Sequence, residues 1–146
     1  MVIDRIPLKG DEFWDHATLQ PEQHRLFVAH HDRLVVIDLL ARAEVGSIPG
    51  QDLSKAIIVP DLNRGFVTDG DAGNVIVFDL KTLESKGTVK TDPDADAICY
   101  EPVTRRIFTF NGDKLKPISP QDPHPHPEPI PGTFHILVLS ENLNRG

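Results

Sequence analysis

The sequence predicts an all-β protein built from repeated four-stranded antiparallel units, because three observations agree. Short runs rich in Val, Ile, Phe and Thr alternate with turn residues, which is typical of strands rather than helices. A proline stands six residues before a phenylalanine in three segments, at Pro21 and Phe27, Pro60 and Phe66, and Pro102 and Phe108. These prolines recur 39 and then 42 residues apart. A period of about 40 residues with four strands per unit indicates β-propeller blades.

The second unit shows its strands most clearly, at about 56–59, 64–68, 74–79 and 84–90. The motif VVIDL at 35–39 in the first unit matches IVFDL at 76–80 in the second, and a glycine follows each Asp eight residues later. We therefore predict a repeat region over 1–113, with blades at 13–50 and 54–91 and the start of a third at 95–112. Asp38 and Asp79 are predicted to cap the turn after the third strand by accepting backbone N–H groups.

The two ends of the chain are predicted from the same repeat. Residues 1–7 resemble 44–49, the fourth strand of the first unit, so we expect a strand there that closes the last blade. Residues 114–132 hold seven of the 13 prolines and are predicted to form an exposed loop or disordered insert. Residues 133–146 are then either the delayed third strand of the third blade or a tail unrelated to the repeat.

Three blades are fewer than the four to eight of a closed propeller ring. Because open sheet edges favour pairing with another chain, we expect either a homo-oligomer, most simply a dimer of six blades, or a piece of a longer propeller.

Composition excludes several classes of protein. The net charge of −7 argues against a nucleic-acid partner, because phosphate contacts need clustered Lys and Arg. No apolar run reaches the roughly 20 residues of a membrane span. The single cysteine, Cys99, excludes an internal disulfide, and we expect it to be a buried apolar residue of the third unit. The first residues lack the pattern of a secretory signal.

The repeat resembles the YncE-like, or YVTN-repeat, β-propeller family. The resemblance covers about residues 1–113 and is strongest in the runs VFDLKTL at 77–83 and RIFTFNG at 106–112. It implies a bacterial seven-bladed propeller with binding or scaffold roles, in the periplasm or at the cell surface; without export the location would be the cytoplasm. A WD40-like assignment is weaker, because the Gly-His and Trp-Asp signatures are absent at blade spacing.

The loops between the second and third strands are the candidate ligand-binding positions, because equivalent loops of successive blades lie at the same end of a propeller. Their polar residues are His30, His31, Asp32, Asp69, Asp71, Asn74, Asn111 and Asp113. Imidazole and carboxylate groups bind divalent metals. The alternative is that Asp, Gly and Asn are the residues that tight hairpin turns require, and we favour this alternative.

Two functions follow from the sequence. The first is a non-enzymatic binding or scaffold module for a protein, peptide or small ligand, with no catalytic residue and no required cofactor. The second is a propeller-type enzyme, such as a lactonase or quinoprotein-like oxidoreductase, with a metal or cofactor on the propeller axis. The first is favoured, because no acid–base or ligand constellation stands out from turn chemistry and fold alone does not give function.

Overall fold

The fold is taken from a computed structural model that describes residues 1–11 and 13–111 and, as backbone, the strand at 135–139. The described residues form strands and two single-turn 3-10 helices, Pro21–Gln23 and Pro60–Leu62. The strands are β1 (Trp14–Gln20), β2 (Arg25–His30), β3 (Arg33–Asp38), β4 (Ala43–Pro49), β5 (Leu53–Val59), β6 (Arg64–Asp69), β7 (Asn74–Asp79), β8 (Ser85–Lys90), β9 (Ala95–Glu101), β10 (Arg106–Asn111) and β11 (His135–Leu139).

The strands form three antiparallel sheets, which we call the first, second and third blades. Their strand orders are β1-β2-β3-β4, β5-β6-β7-β8 and β9-β10-β11. The predicted fold class, all-β with four-stranded antiparallel units of the propeller type, is confirmed for the first two blades. The third blade contains three strands within the described residues, with β11 antiparallel to β10.

The repeated proline opens the turn between the first and second strands of each blade. Pro21 and Pro60 each begin a 3-10 turn, where the missing N–H breaks no hydrogen bond. Three residues after each repeated proline the backbone is left-handed, with φ of 52° at His24, 50° at Asn63 and 56° at Arg105. The same geometry therefore reverses the chain in all three blades.

The core lies between the blades rather than within one of them. Phe27, Leu34 and Phe78 belong to a cluster shared by the first and second blades. Phe66 and Ile98 belong to a second cluster, shared by the second and third blades. The second blade therefore buries both of its faces, and the first and third blades each bury one apolar face against it.

The predicted turn caps are confirmed. Asp38 Oδ1 accepts the backbone N–H groups of Leu40 and Ala41, both at 2.8 Å. Asp79 Oδ1 accepts those of Lys81 at 2.8 Å and Thr82 at 2.9 Å. The N–H of Thr82 is the main cause that holds the pKa of Asp79 below its ordinary value.

Two expectations differ from the structure. Residues 1–9 form no strand; instead, the segment lies beside the first blade, where Asp4 meets Arg42 and the Lys9 carbonyl accepts from Arg33. The predicted place of this segment was the fourth strand of the third blade, but that sheet contains β9, β10 and β11 and does not include residues 1–9. Cys99 is exposed rather than buried, because it projects from the face of the third blade opposite to the one that packs on the second blade. The predicted insert at 114–132 lies outside the described residues.

Candidate functional site

One end of the blades is held together by backbone hydrogen bonds between loops of two kinds. The first kind precedes the first strand of a blade, and the second kind joins its second and third strands. The N–H of Gly50 donates to Asp32 O at 2.9 Å, and that of Gly70 donates to Asp52 O at 2.9 Å. The N–H of Asp94 donates in turn to Gly70 O at 3.1 Å. We call this end, with residues 10–11, 13, 31–32, 50–52, 70–73 and 91–94, the loop end.

The last residue of the second strand anchors the loop end in each blade. These residues are His30, Asp69 and Asn111, which are 3%, 2% and 3% exposed. Because a buried polar group is costly unless it is hydrogen-bonded, each of them reaches across to the loop that precedes its own blade. We call these three residues the anchors.

Asp69 is the anchor of the second blade. Its carboxylate accepts the backbone N–H of Gln51 at 2.9 Å and of Asp52 at 3.0 Å, both in the preceding loop. It also accepts the N–H of Ala72 at 3.1 Å, in the loop between its own second and third strands. One side chain thus fixes two loops.

Asn111 likewise fixes the preceding loop in the third blade, but it does so as a hydrogen-bond donor rather than as an acceptor. Its Nδ2 donates to the backbone carbonyls of Asp92 and Pro93, the latter at 3.2 Å. Its Oδ1 accepts the hydroxyl of Thr109 at 3.2 Å. An amide and a carboxylate therefore serve one position, one by donating to carbonyls and the other by accepting from N–H groups.

His30 is the anchor of the first blade and lies between two carboxylates. Nε2 is 2.8 Å from Asp11 Oδ1, and Nδ1 is 2.6 Å from Asp32 Oδ1. Both ring nitrogens can donate only in the protonated imidazolium. The hydrogen bond from His30 is the main cause that lowers the pKa of Asp32. The indole of Trp14 packs edge-on against the imidazole, with ring centroids 4.6 Å apart.

Other candidate residues present their side chains to solvent. His31 Nδ1 is 3.4 Å from Asp52 Oδ1, and their side chains are 50% and 36% exposed. Asp71 is exposed and Asn74 is partly exposed. The side chains of His31, Asp52 and Asp71 stand on loops that the anchors hold in place, where the carboxylates can bind N–H donors or a positive charge. The Oδ1 atom of Asn74, in contrast, is buried and has no hydrogen-bond partner among the described residues.

The structure therefore separates the predicted residues into two groups. His30, Asp69 and Asn111 are buried anchors. His31, Asp32 and Asp71 face outward. Asn74 is partly exposed, but its Oδ1 atom is buried. Asp113 lies outside the described residues. Sequence reasoning missed Asp11 and Asp52, whose common signal is their place in the loop just before the first strand of a blade.

Within residues 1–11 and 13–111, no three His, Cys, Asp or Glu side chains are grouped so as to hold a metal ion. The same residues contain no helix of the length and apolarity that crosses a membrane.

The chain matches no protein-family profile and no curated protein by sequence. Among solved structures it is similar to the hydrazine synthase of Kuenenia stuttgartiensis, with a TM-score of 0.66 and 13% identity over 80% of this chain and 34% of that one. It is also similar to Hsv2 of Kluyveromyces lactis, with a TM-score of 0.50 and 13% identity over 69% of this chain and 30% of that one. The chain thus spans about a third of each structure, and the likeness shows the fold alone: all-β, with blades of the propeller type.

Proposed function

We propose that this chain is a binding or scaffold module that recognises a protein, peptide or small ligand at the loop end. The observation that carries the proposal is the division between buried anchors and exposed polar side chains. Asp69 fixes the loops before and after it, and Asp52 and Asp71 extend from those loops toward solvent. A recognition surface that is rigid before it binds loses less entropy on binding.

The charge of the exposed groups indicates the chemistry of the ligand. Asp52 and Asp71 carry carboxylates that are at least partly exposed at the loop end, and the whole chain has a net charge of −7. The carboxylate of Asp32 is already paired with Arg33 and His30. Carboxylates on fixed loops favour a ligand with ammonium, guanidinium or N–H groups. A basic peptide segment is the ligand class that fits these groups.

A peptide array tests the proposal. The labelled full chain is applied to basic, neutral and acidic peptides, and the double variant Asp52→Asn/Asp71→Asn is compared with Glu22→Gln/Asp61→Asn. Each double variant removes two negative charges, but Glu22 and Asp61 lie in the 3-10 turns at the opposite end of the blades. We expect basic peptides to bind the wild type and the control and to lose binding to the loop-end variant. Equal binding by all three proteins would contradict the proposal.

The enzymatic alternative, a lactonase or quinoprotein-like oxidoreductase, is tested by metal analysis of the purified chain. A stoichiometric divalent metal that is lost in His31→Ala/Asp71→Ala would favour that alternative over the binding module.

The proposal includes a YncE-like relationship, with the extracytoplasmic location that this resemblance implies, and self-association of the chain. Repeat matches such as VFDLKTL at 77–83 support the first. The apolar face that the third blade turns away from the second blade supports self-association.

A further inference from the structure

The third blade carries an apolar face that points away from the second blade. Phe108 pairs with Cys99 across β10 and β9, and Phe110 pairs with Ala97. Ile107, which alternates with these phenylalanines along β10, packs into the core shared with the second blade. Successive side chains of a strand point to opposite faces, so the two pairs project outward. Cys99 is exposed, and Phe108 and Phe110 are partly exposed.

The same position is covered wherever a next blade is present. Phe27 pairs with Thr18 in the first blade and is 0% exposed, because the second blade lies over it. Phe66 pairs with Ile57 in the second blade and is 1% exposed under the third. Phe108 occupies the equivalent place, and the described residues contain no blade that covers it.

The first blade has a complementary face that no other blade covers within the described residues. Leu19 pairs with Leu26, and Ala17 pairs with Val28. Leu19 is 53% exposed, Ala17 is exposed, and the other two are partly exposed. In the repeat, Val28 stands where the second blade has Val67, a residue of the core that receives the phenylalanine of the preceding blade.

We propose that a second copy of this chain covers the third blade, with the face of Phe108 packed against the face of Leu19 in the other copy. The contact continues the two blade-to-blade interfaces within one copy, with equivalent repeat positions in the same register. It is a head-to-tail contact, and two of them close a pair of copies into a ring. Six blades fall within the four to eight of closed propellers. The inference rests on the self-association proposed above and names its surface.

The interface inside one copy predicts which residues meet between copies. Thr18 Oγ1 donates to the carbonyl of Ala56 at 2.7 Å. Thr18 stands three residues before the repeated proline of the first blade, and Ala56 stands four residues before the repeated proline of the second blade. Cys99 and Ala17 hold these two positions at the free faces. Cys99 should therefore lie beside Ala17 of the second copy.

Thiol cross-linking tests this contact. The full-length Ala17→Cys variant, which retains Cys99, is treated with a short bis-maleimide and run on a denaturing gel. The matched control is Leu40→Cys, in a turn of the same blade and 73% exposed. Because β5 lies between β1 and β9, a link between positions 17 and 99 must join two copies. We expect Ala17→Cys to shift to the mass of two linked chains and Leu40→Cys to stay at one.

A charge in the interface gives a second test, independent of cross-linking. Phe108→Glu is expected to convert the dimer to a monomer with an unchanged circular dichroism spectrum. Val103→Glu, in an exposed turn of the third blade, is expected to remain a dimer. A wild-type monomer by light scattering would overturn both the self-association and the inference. If the wild type is a dimer, but Ala17→Cys does not cross-link and Phe108→Glu stays dimeric, the proposed contact surface would be wrong while self-association would stand.

Discussion

Removal of the Asp69 carboxylate should loosen two loops at once. The carboxylate accepts three backbone N–H groups at 2.9–3.1 Å and is 2% exposed. A hydrogen bond contributes about 0.5–1.5 kcal/mol net, and more when one partner is charged. Asp69→Ala breaks all three bonds and leaves their N–H groups without an acceptor, so we expect the free energy of unfolding to fall by about 3–4 kcal/mol.

Urea unfolding followed by circular dichroism measures this loss. Asp71→Ala is the matched control, because it makes the same chemical change two residues away at an exposed position; we expect it to stay within about 0.5 kcal/mol of the wild type. Asp69→Asn keeps one acceptor oxygen and should lose about half as much as Asp69→Ala.

Hydrogen exchange locates the effect of the same variant. In Asp69→Ala, the amides of Gln51, Asp52 and Ala72 should exchange faster, while those in the centre of β6 should change less than these three. A loss in Asp69→Ala no larger than that in Asp71→Ala, or unchanged exchange at the three amides, would refute the role of Asp69 as an anchor.

Two further predictions follow from the blade interfaces and the turn caps. Phe66→Ala should lower the free energy of unfolding by about 3–5 kcal/mol at any protein concentration. Phe108→Ala should lower it mainly at concentrations where the wild type is a dimer. If urea unfolding gave equal losses for both variants at every protein concentration, this difference would be contradicted. The turn N–H groups lower the pKa of Asp79 in the folded state. The ionised carboxylate therefore stabilises the fold at pH values above the unfolded pKa of about 3.9. This stabilisation is lost as the pH falls through the lower pKa of the folded state. The urea midpoint of Asp79→Asn should therefore depend less on pH between pH 5 and pH 3 than that of the wild type, and parallel profiles would disprove the assignment.

Local features of the fold could be predicted from the sequence. The prolines at 21, 60 and 102 mark the same chain reversal in three blades, because a fixed φ suits the start of the turn. The strand Asn74–Asp79 was predicted with its observed bounds, since short apolar runs between turn residues have few alternative structures. The capping role of Asp38 and Asp79 also followed from local chemistry.

Other features depend on contacts between distant residues. The prediction did not separate His30, a buried anchor, from His31, an exposed neighbour, because both stand at one turn. Asp11, the hydrogen-bond partner of His30, was missed, because nothing in the local sequence pattern indicates that residue 11 lies beside residue 30. Cys99 was expected to be buried from its apolar character alone, but burial depends on which face of a strand meets another blade.

The concentration dependence of molar mass tests most directly the claim that every blade face of this repeat requires a neighbour. Light scattering of the full chain at low micromolar concentration and above should give twice the chain mass of 16.2 kDa, with Phe108→Glu at the single-chain mass throughout. A wild-type chain that stays folded at 16.2 kDa over the whole range would contradict it.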